Sequence, residues 1–252
     1  MNQIVLMYHD VYEEHTQESG FDTPGAIHYK ILKDTFIDHL DAISAYCISA
    51  GIDKNSVVFT FDDGGVSFYT IIAPLLEKYG WKGYFFVSTK QIGTDGFLNV
   101  DQIKELKARG HIIGSHSHHH RVLTEMSLEE VESELMQSAD ILSAILGERI
   151  STISIPNGCY SNEILDFVVD EGLTTIYTSK PTTKEQTYKH ANLIGRYAIA
   201  YNTTATDVMR VIKQPSLRAR MEMKYNVLQL VKRLLGSNYS KLKMKVRKYL
   251  IK

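Results

Sequence analysis

Short apolar runs alternate along the chain with longer stretches in which apolar residues recur every three or four positions. Ile4–Met7, Val57–Phe61, Tyr84–Val87, Ile112–Gly114, Thr152–Ile155 and Thr175–Tyr177 predict strands; residues 35–49, 66–79, 101–109, 127–147 and 161–171 predict helices. Ser127 opens the clearest helix, with Glu130 three residues on completing a capping box and Gly147 at the far end. The alternation predicts βα units in an α/β domain built on a parallel sheet or barrel. A chain of 252 residues is long enough for one such domain with a full core.

Composition changes this picture little. With 44% hydrophobic and 23% charged residues, the chain is neither disordered nor fibrous in class. The residues up to His9 carry no basic stretch and only a short apolar run, which predicts no secretory signal. No segment approaches the roughly 20 apolar residues needed to span a bilayer. Cys47 and Cys159 make no disulfide framework, so the expectation is a cytoplasmic protein with reduced thiols.

Charge changes it more. The net charge of -1 conceals a segregation: residues 213–252 hold twelve Lys/Arg against the single acid Glu222, and residues 1–212 hold sixteen against twenty-eight acids. This divides the chain into a body, 1–212, and a basic tail, 213–252. Helical spacing from Leu217 to Leu235 and from Tyr239 to Ile251, around Gly236-Ser237-Asn238, predicts an amphipathic helical tail. Such a tail suits peripheral contact with the inner face of a membrane, and it equally suits packing on the acidic body. No nucleic-acid-binding module accompanies it, so nucleic acid is not an expected partner.

Candidate chemistry gathers where the predicted strands end, the place where parallel α/β folds build active sites. Asp62-Asp63-Gly64 follows Val57–Phe61, His116 follows Ile112–Gly114, and Pro156-Asn157-Gly158 follows Thr152–Ile155. Of two neighbouring carboxylates one can bind a cation while the other stays free, although an Asp-Gly turn with a solvated acidic pair has the same sequence. In His116-Ser117-His118-His119-His120 two imidazoles stand four residues apart, a spacing for one helical turn or a tight loop around a metal. Spacing alone leaves His118 and His119 as spare imidazoles, or the whole run as an exposed His-rich loop. His15, His28, His39, His111 and His190 read as structural or exposed, and nothing activates Cys159. Tyr8, Phe21, Trp81 and Tyr160 are either stacking platforms for a ligand or core.

Taken together, Thr60-Phe61-Asp62-Asp63-Gly64, His116-Ser117-x-x-His120 continued by Leu123-Thr124-x-x-Ser127, and Pro156-Asn157-Gly158 with Tyr160 resemble the polysaccharide deacetylase family. This is carbohydrate esterase family 4, with the homology domain of nodulation chitooligosaccharide deacetylases. The resemblance implies an incomplete, distorted (β/α) barrel and a divalent metal, usually zinc and sometimes cobalt or nickel. By the same resemblance Asp63, His116 and His120 are the ligands and Asp62 is the base that takes a proton from the attacking water. Asn157 contributes a backbone amide to the oxyanion, with Gly158 and Tyr160 beside the substrate.

The sequence departs from the family pattern twice. Ser154 stands where an arginine normally orients the catalytic Asp, and a late Leu-x-x-His, source of the general acid, is missing. The opening Val5-Leu6-Met7-Tyr8-His9 resembles the poly-N-acetylglucosamine deacetylase branch, whose motifs are permuted and whose N-terminal Tyr-His supplies the acid; that implies His9. Gly195-Arg196-Tyr197-Ala198-Ile199 offers Arg196 on a late strand as the partner of Asp62. The implied reaction is removal of N-acetyl groups from an N-acetylhexosamine in a saccharide, a lipid-linked glycan or another glycoconjugate precursor. Alternatives are a catalytically silent sugar-binding relative and a hydrolase of non-sugar amides on the same fold.

Overall fold

The protein is described by a computed structural model over residues 3–235. β1 (Ile4–Tyr8) is followed by the short strands β2 (Val11–Tyr12) and β3 (Ile31–Leu32), which pair in parallel around α1 (Pro24–Ile27). Then come α2 (Lys33–Ala50), β4 (Val57–Phe61), α3 (Ala73–Lys78), β5 (Gly83–Val87), α4 (Val100–Ala108) and β6 (Ile112–Ser115). The second half runs α5 (Leu128–Leu146), β7 (Thr152–Ser154), α6 (Asn162–Asp170), β8 (Thr175–Tyr177), β9 (Gln186–Tyr188), β10 (Ala191–Ile194) and β11 (Tyr197–Ala198). It closes with α7 (Ala205–Lys213) and α8 (Pro215–Leu235).

Nine strands form one sheet in the order β11-β1-β4-β5-β6-β7-β8-β10-β9, parallel except for β9. β10 lies next to one edge and β11 is the opposite edge, yet only Gly195 and Arg196 separate them in the chain. Three Cα steps reach about 11 Å at most. The sheet must therefore curl until its ends nearly meet, which is the incomplete, distorted barrel that the resemblance implied. Alternation along the strands sets the two faces. Leu6, Tyr8, Phe59, Phe61, Phe85 and Val87 look outward into the main core under the helices, while Val5, Val58, Phe86 and Tyr177 form a small cluster inside the curl. Continuing the inward register of β4, from Val58 through Thr60 to Asp62, carries Asp62 to the mouth of the barrel.

Two local expectations are corrected. The helix expected over 66–79 is a π-helical turn, Phe68–Ile72, followed by α3. Pro74 lacks an N–H and is confined to the first turn of α3. β7 ends at Ser154, with Ile155 leading into a tight turn over Pro156–Gly158. The helix expected from Leu217 lies within α8, held on the body by Leu217 and Met221 against the core and by Arg218 donating to the Val211 and Ile212 carbonyls. Tyr239–Ile251 lies outside the described residues.

Candidate active site

Two neighbouring side chains on a strand normally point to opposite faces. Here Asp63 has φ +90° and Gly64 φ +94°, so the backbone reverses immediately after Asp62 and both carboxylates line one cavity. Gly64 also packs so close to β5 that a Cβ would come within 3.1 Å of the Val87 side chain. The histidine run is the tight loop rather than a helical turn: Ser117 and His120 both have positive φ, at 60° and 56°. Such backbone strain costs about 1–3 kcal/mol per residue and persists only where surroundings enforce it. The enforcing contacts are local. Ser117 Oγ accepts from the His120 amide at 3.2 Å, and the buried Glu134 of α5 accepts from the amides of His118 (3.0 Å) and His119 (2.8 Å).

The His116 Nδ1–H donates to the Ser154 carbonyl at 2.8 Å, which fixes the tautomer and leaves the Nε2 lone pair for a ligand. Nε2 lies 3.5 Å from Asp63 Oδ1, and His120 Nε2 lies 3.2 Å from the same oxygen. The three ligand atoms lie within 4.8 Å of one another. Although buried, Asp63 Oδ1 accepts no hydrogen bond. Tetrahedral ligands about 2.0–2.1 Å from zinc stand about 3.4 Å apart, and one carboxylate oxygen with two imidazole nitrogens is a zinc-type donor set. A divalent cation therefore fits these residues. Burial and the His116 imidazole push the His120 pKa down to about 4. For Asp63, burial would raise the pKa, but the surrounding imidazoles, His116 foremost, hold the carboxyl below its ordinary range.

Asp62 is held differently. Arg196 grips both oxygens, Nη1 to Oδ1 at 2.7 Å and Nη2 to Oδ2 at 2.8 Å, and Ser154 Oγ donates to Oδ2 at 3.1 Å. The guanidinium also donates to Ser154 Oγ, Thr60 Oγ1 and the Thr178 carbonyl, and no part of its side chain reaches solvent. Burial alone would raise the Asp62 pKa. The Arg196 charge and then His116 outweigh it, and the carboxyl sits well below its usual range.

Comparison with known proteins agrees with this geometry: residues 50–176 match the polysaccharide deacetylase family. The chain belongs to that family. YxkH of Bacillus subtilis is 29% identical over 183 residues, covering 70% of this chain and 64% of that protein. PdaA of the same organism, a peptidoglycan-N-acetylmuramic acid deacetylase, is 30% identical over 131 residues, 50% of this chain and 47% of that protein. The chain thus spans less than two thirds of the length of either curated relative. Among solved structures, the Streptococcus pyogenes deacetylase PplD in complex with acetate is 21% identical, with a TM-score of 0.70 over 84% of this chain and 99% of that one, a shared fold.

The residues named against both departures lie at the site, Arg196 on Asp62 and His9 on the cavity wall. Arg196, from the link between β10 and β11, reaches the Asp that the family's earlier arginine would orient, and Ser154 joins that pairing. His9 follows β1 and lines the cavity, its ring stacked on Tyr29 (4.7 Å, 22°) and its buried Nδ1 without a partner. Asn157 lines the cavity at φ +57°. Gly158, at φ +64°, is buried, and its N–H is spent on the Ile155 carbonyl at 3.0 Å.

Tyr160 is not brought to the cavity wall; it packs against the main core. Tyr8 and Trp81 are core as well, whereas Phe21 faces the cavity, 5.1 Å from the His120 ring. His118 bonds Thr89 Oγ1 (2.8 Å) and His119 bonds Glu134, so neither spare imidazole joins the cluster. Sequence reasoning missed Tyr29, Glu134 and the wall formed by residues 10–30. Buried Lys30 ties that wall together by donating to the Thr16 and Ser19 carbonyls, and Asp10 accepts from Ser19 and Ser67. A signal for Glu134 existed, an acid on the apolar stripe of Val131, Leu135 and Leu142.

Proposed function

We propose that this chain is a metal-dependent hydrolase that removes the N-acetyl group from an N-acetylhexosamine in a saccharide or glycoconjugate. The observation that carries the reading is the Asp63, His116 and His120 cluster beside an ionised, arginine-clamped Asp62 in one cavity of about 630 Å³. That volume lies in the ordinary range for small-molecule sites. Phe21 and Tyr29 offer flat apolar faces for a sugar ring. PdaA acts on an amino sugar and PplD holds acetate, the acid such a reaction releases, and both support the substrate class.

Asp63, His116 and His120 would hold the cation, which, when bound, polarises the acyl carbonyl and acidifies water. Asp62, kept ionised by Arg196, takes the proton from the water that adds to the carbonyl carbon. His9, its ring set by Tyr29, gives a proton to the departing nitrogen as the C–N bond breaks, leaving acetate and a free amine. The Asn157 amide serves the developing oxyanion. The test is acetate release from N-acetylated chitooligosaccharides and peptidoglycan fragments before and after chelation. Activity lost on chelation and restored by zinc is expected; release that chelation leaves unchanged, or none after zinc addition, overturns the proposal.

A further inference from the structure

We propose that the outward face of α8 docks on an anionic lipid surface. The helix carries two apolar faces. Leu217, Met221 and Tyr225 are partly buried on one side, with Leu217 and Met221 against the core. Met223, Val227, Leu230, Val231 and Leu234 recur at helical spacing on the other side, and they are 36–75% exposed. Nothing among the described residues covers them.

Charge identifies the occupant. Exposed Arg220 and Lys224 border the stripe, each three residues before one of its members, Met223 and Val227. Residues 213–252 as a whole hold twelve basic residues against one acid. Two copies of so basic a segment would repel if the stripes paired, whereas an anionic headgroup layer attracts both the charge and the apolar side chains between. The acidic body opposes this weakly, because screening confines its repulsion to about 10 Å at ordinary ionic strength. No helix among the described residues is long and apolar enough to cross a membrane, so the contact runs along the surface.

Co-sedimentation of the full chain with phosphatidylglycerol–phosphatidylcholine vesicles, against phosphatidylcholine alone, tests the assignment without reference to activity. Pelleting is expected with the anionic vesicles only and weakens with salt. Arg220→Gln and Lys224→Gln should each lower the partition coefficient about fivefold, and the pair Val227→Asp, Leu230→Asp should abolish pelleting. These positions are exposed, and thermal melts check that each variant stays folded. Equal pelleting on both vesicles, pelleting on neither, or an aspartate pair that partitions like the parent overturns the proposal. So does a dimer that the aspartate pair splits while lipid partition is nil, which would assign the stripe to a second copy.

Discussion

Arg196→Met removes the group on which the buried Asp62 depends. Arg196 makes five hydrogen bonds, two to Asp62 and one each to Ser154, Thr60 and the Thr178 carbonyl, with the Phe86 and Tyr177 rings 5.7 and 5.9 Å from its guanidinium carbon. Methionine restores the apolar packing and leaves Asp62, 3% exposed, with the Ser154 hydroxyl as its remaining hydrogen-bond donor. Orphaning one partner of a buried ion pair costs about 3–5 kcal/mol. For a domain of this size that is a fall in melting temperature on the order of 10 °C.

Urea unfolding of the chelated protein at pH 7, followed by circular dichroism, measures the loss without a contribution from cation binding. The double variant Asp62→Asn, Arg196→Met removes the stranded charge as well and should recover about 2 kcal/mol of it. Two results would refute the reasoning. One is an Arg196→Met protein within about 0.5 kcal/mol of the parent, the behaviour of an ordinary surface substitution. The other is a double variant whose loss is the sum of the two single losses.

Two further predictions concern groups outside the cation cluster. Glu134→Ala strands the His118 and His119 amides, which should cost about 2 kcal/mol and weaken zinc binding about tenfold or more, as calorimetry would read; unchanged affinity would free the loop from Glu134. Burial holds the His39 imidazole below its usual pKa, with Nε2 3.0 Å from the Thr203 carbonyl and Nδ1 3.2 Å from the Tyr8 hydroxyl, an arrangement that suits the neutral ring. Its stabilisation is complete above the unfolded value of about 6.5 and is lost as pH falls through the lower folded value. The urea midpoint should therefore drop between pH 7 and pH 5, and His39→Gln should flatten that slope; an identical slope would contradict the assignment.

What could be read from the sequence was local. Val57–Phe61 and Thr175–Tyr177 were expected with their observed bounds, because a buried parallel strand is a continuous apolar run. The α5 cap at Ser127 and Glu130 forms as expected, with the Ser127 amide donating to Glu130 at 2.9 Å. Asp62 and His116 were legible because they stand at the ends of such runs, Asp63 because it is next to Asp62, and His120 because it lies four residues from His116. Arg196 was nameable as a candidate, but its importance comes from sheet closure: the link between β10 and β11 crosses from one edge to the other, a non-local fact that no spacing encodes.

The wall over residues 10–30 escaped for a related reason. Its order comes from a buried lysine and aspartate bonded to distant carbonyls and hydroxyls, not from periodicity. Tyr160 was placed beside the substrate by its position after a motif, whereas after the turn at Pro156–Gly158 it packs against the core. The left-handed backbone at Asp63, which turns both carboxylates into one cavity, falls on a residue whose type does not announce it.

Acetate release by the zinc-loaded protein and its Asp62→Asn variant, with metal content measured on the same samples, tests the central claim most directly. The account predicts that both proteins hold the cation, since Asp63, His116 and His120 remain, while the variant releases acetate about 10²- to 10⁴-fold more slowly. A variant that keeps both its zinc and the parent's rate would contradict it.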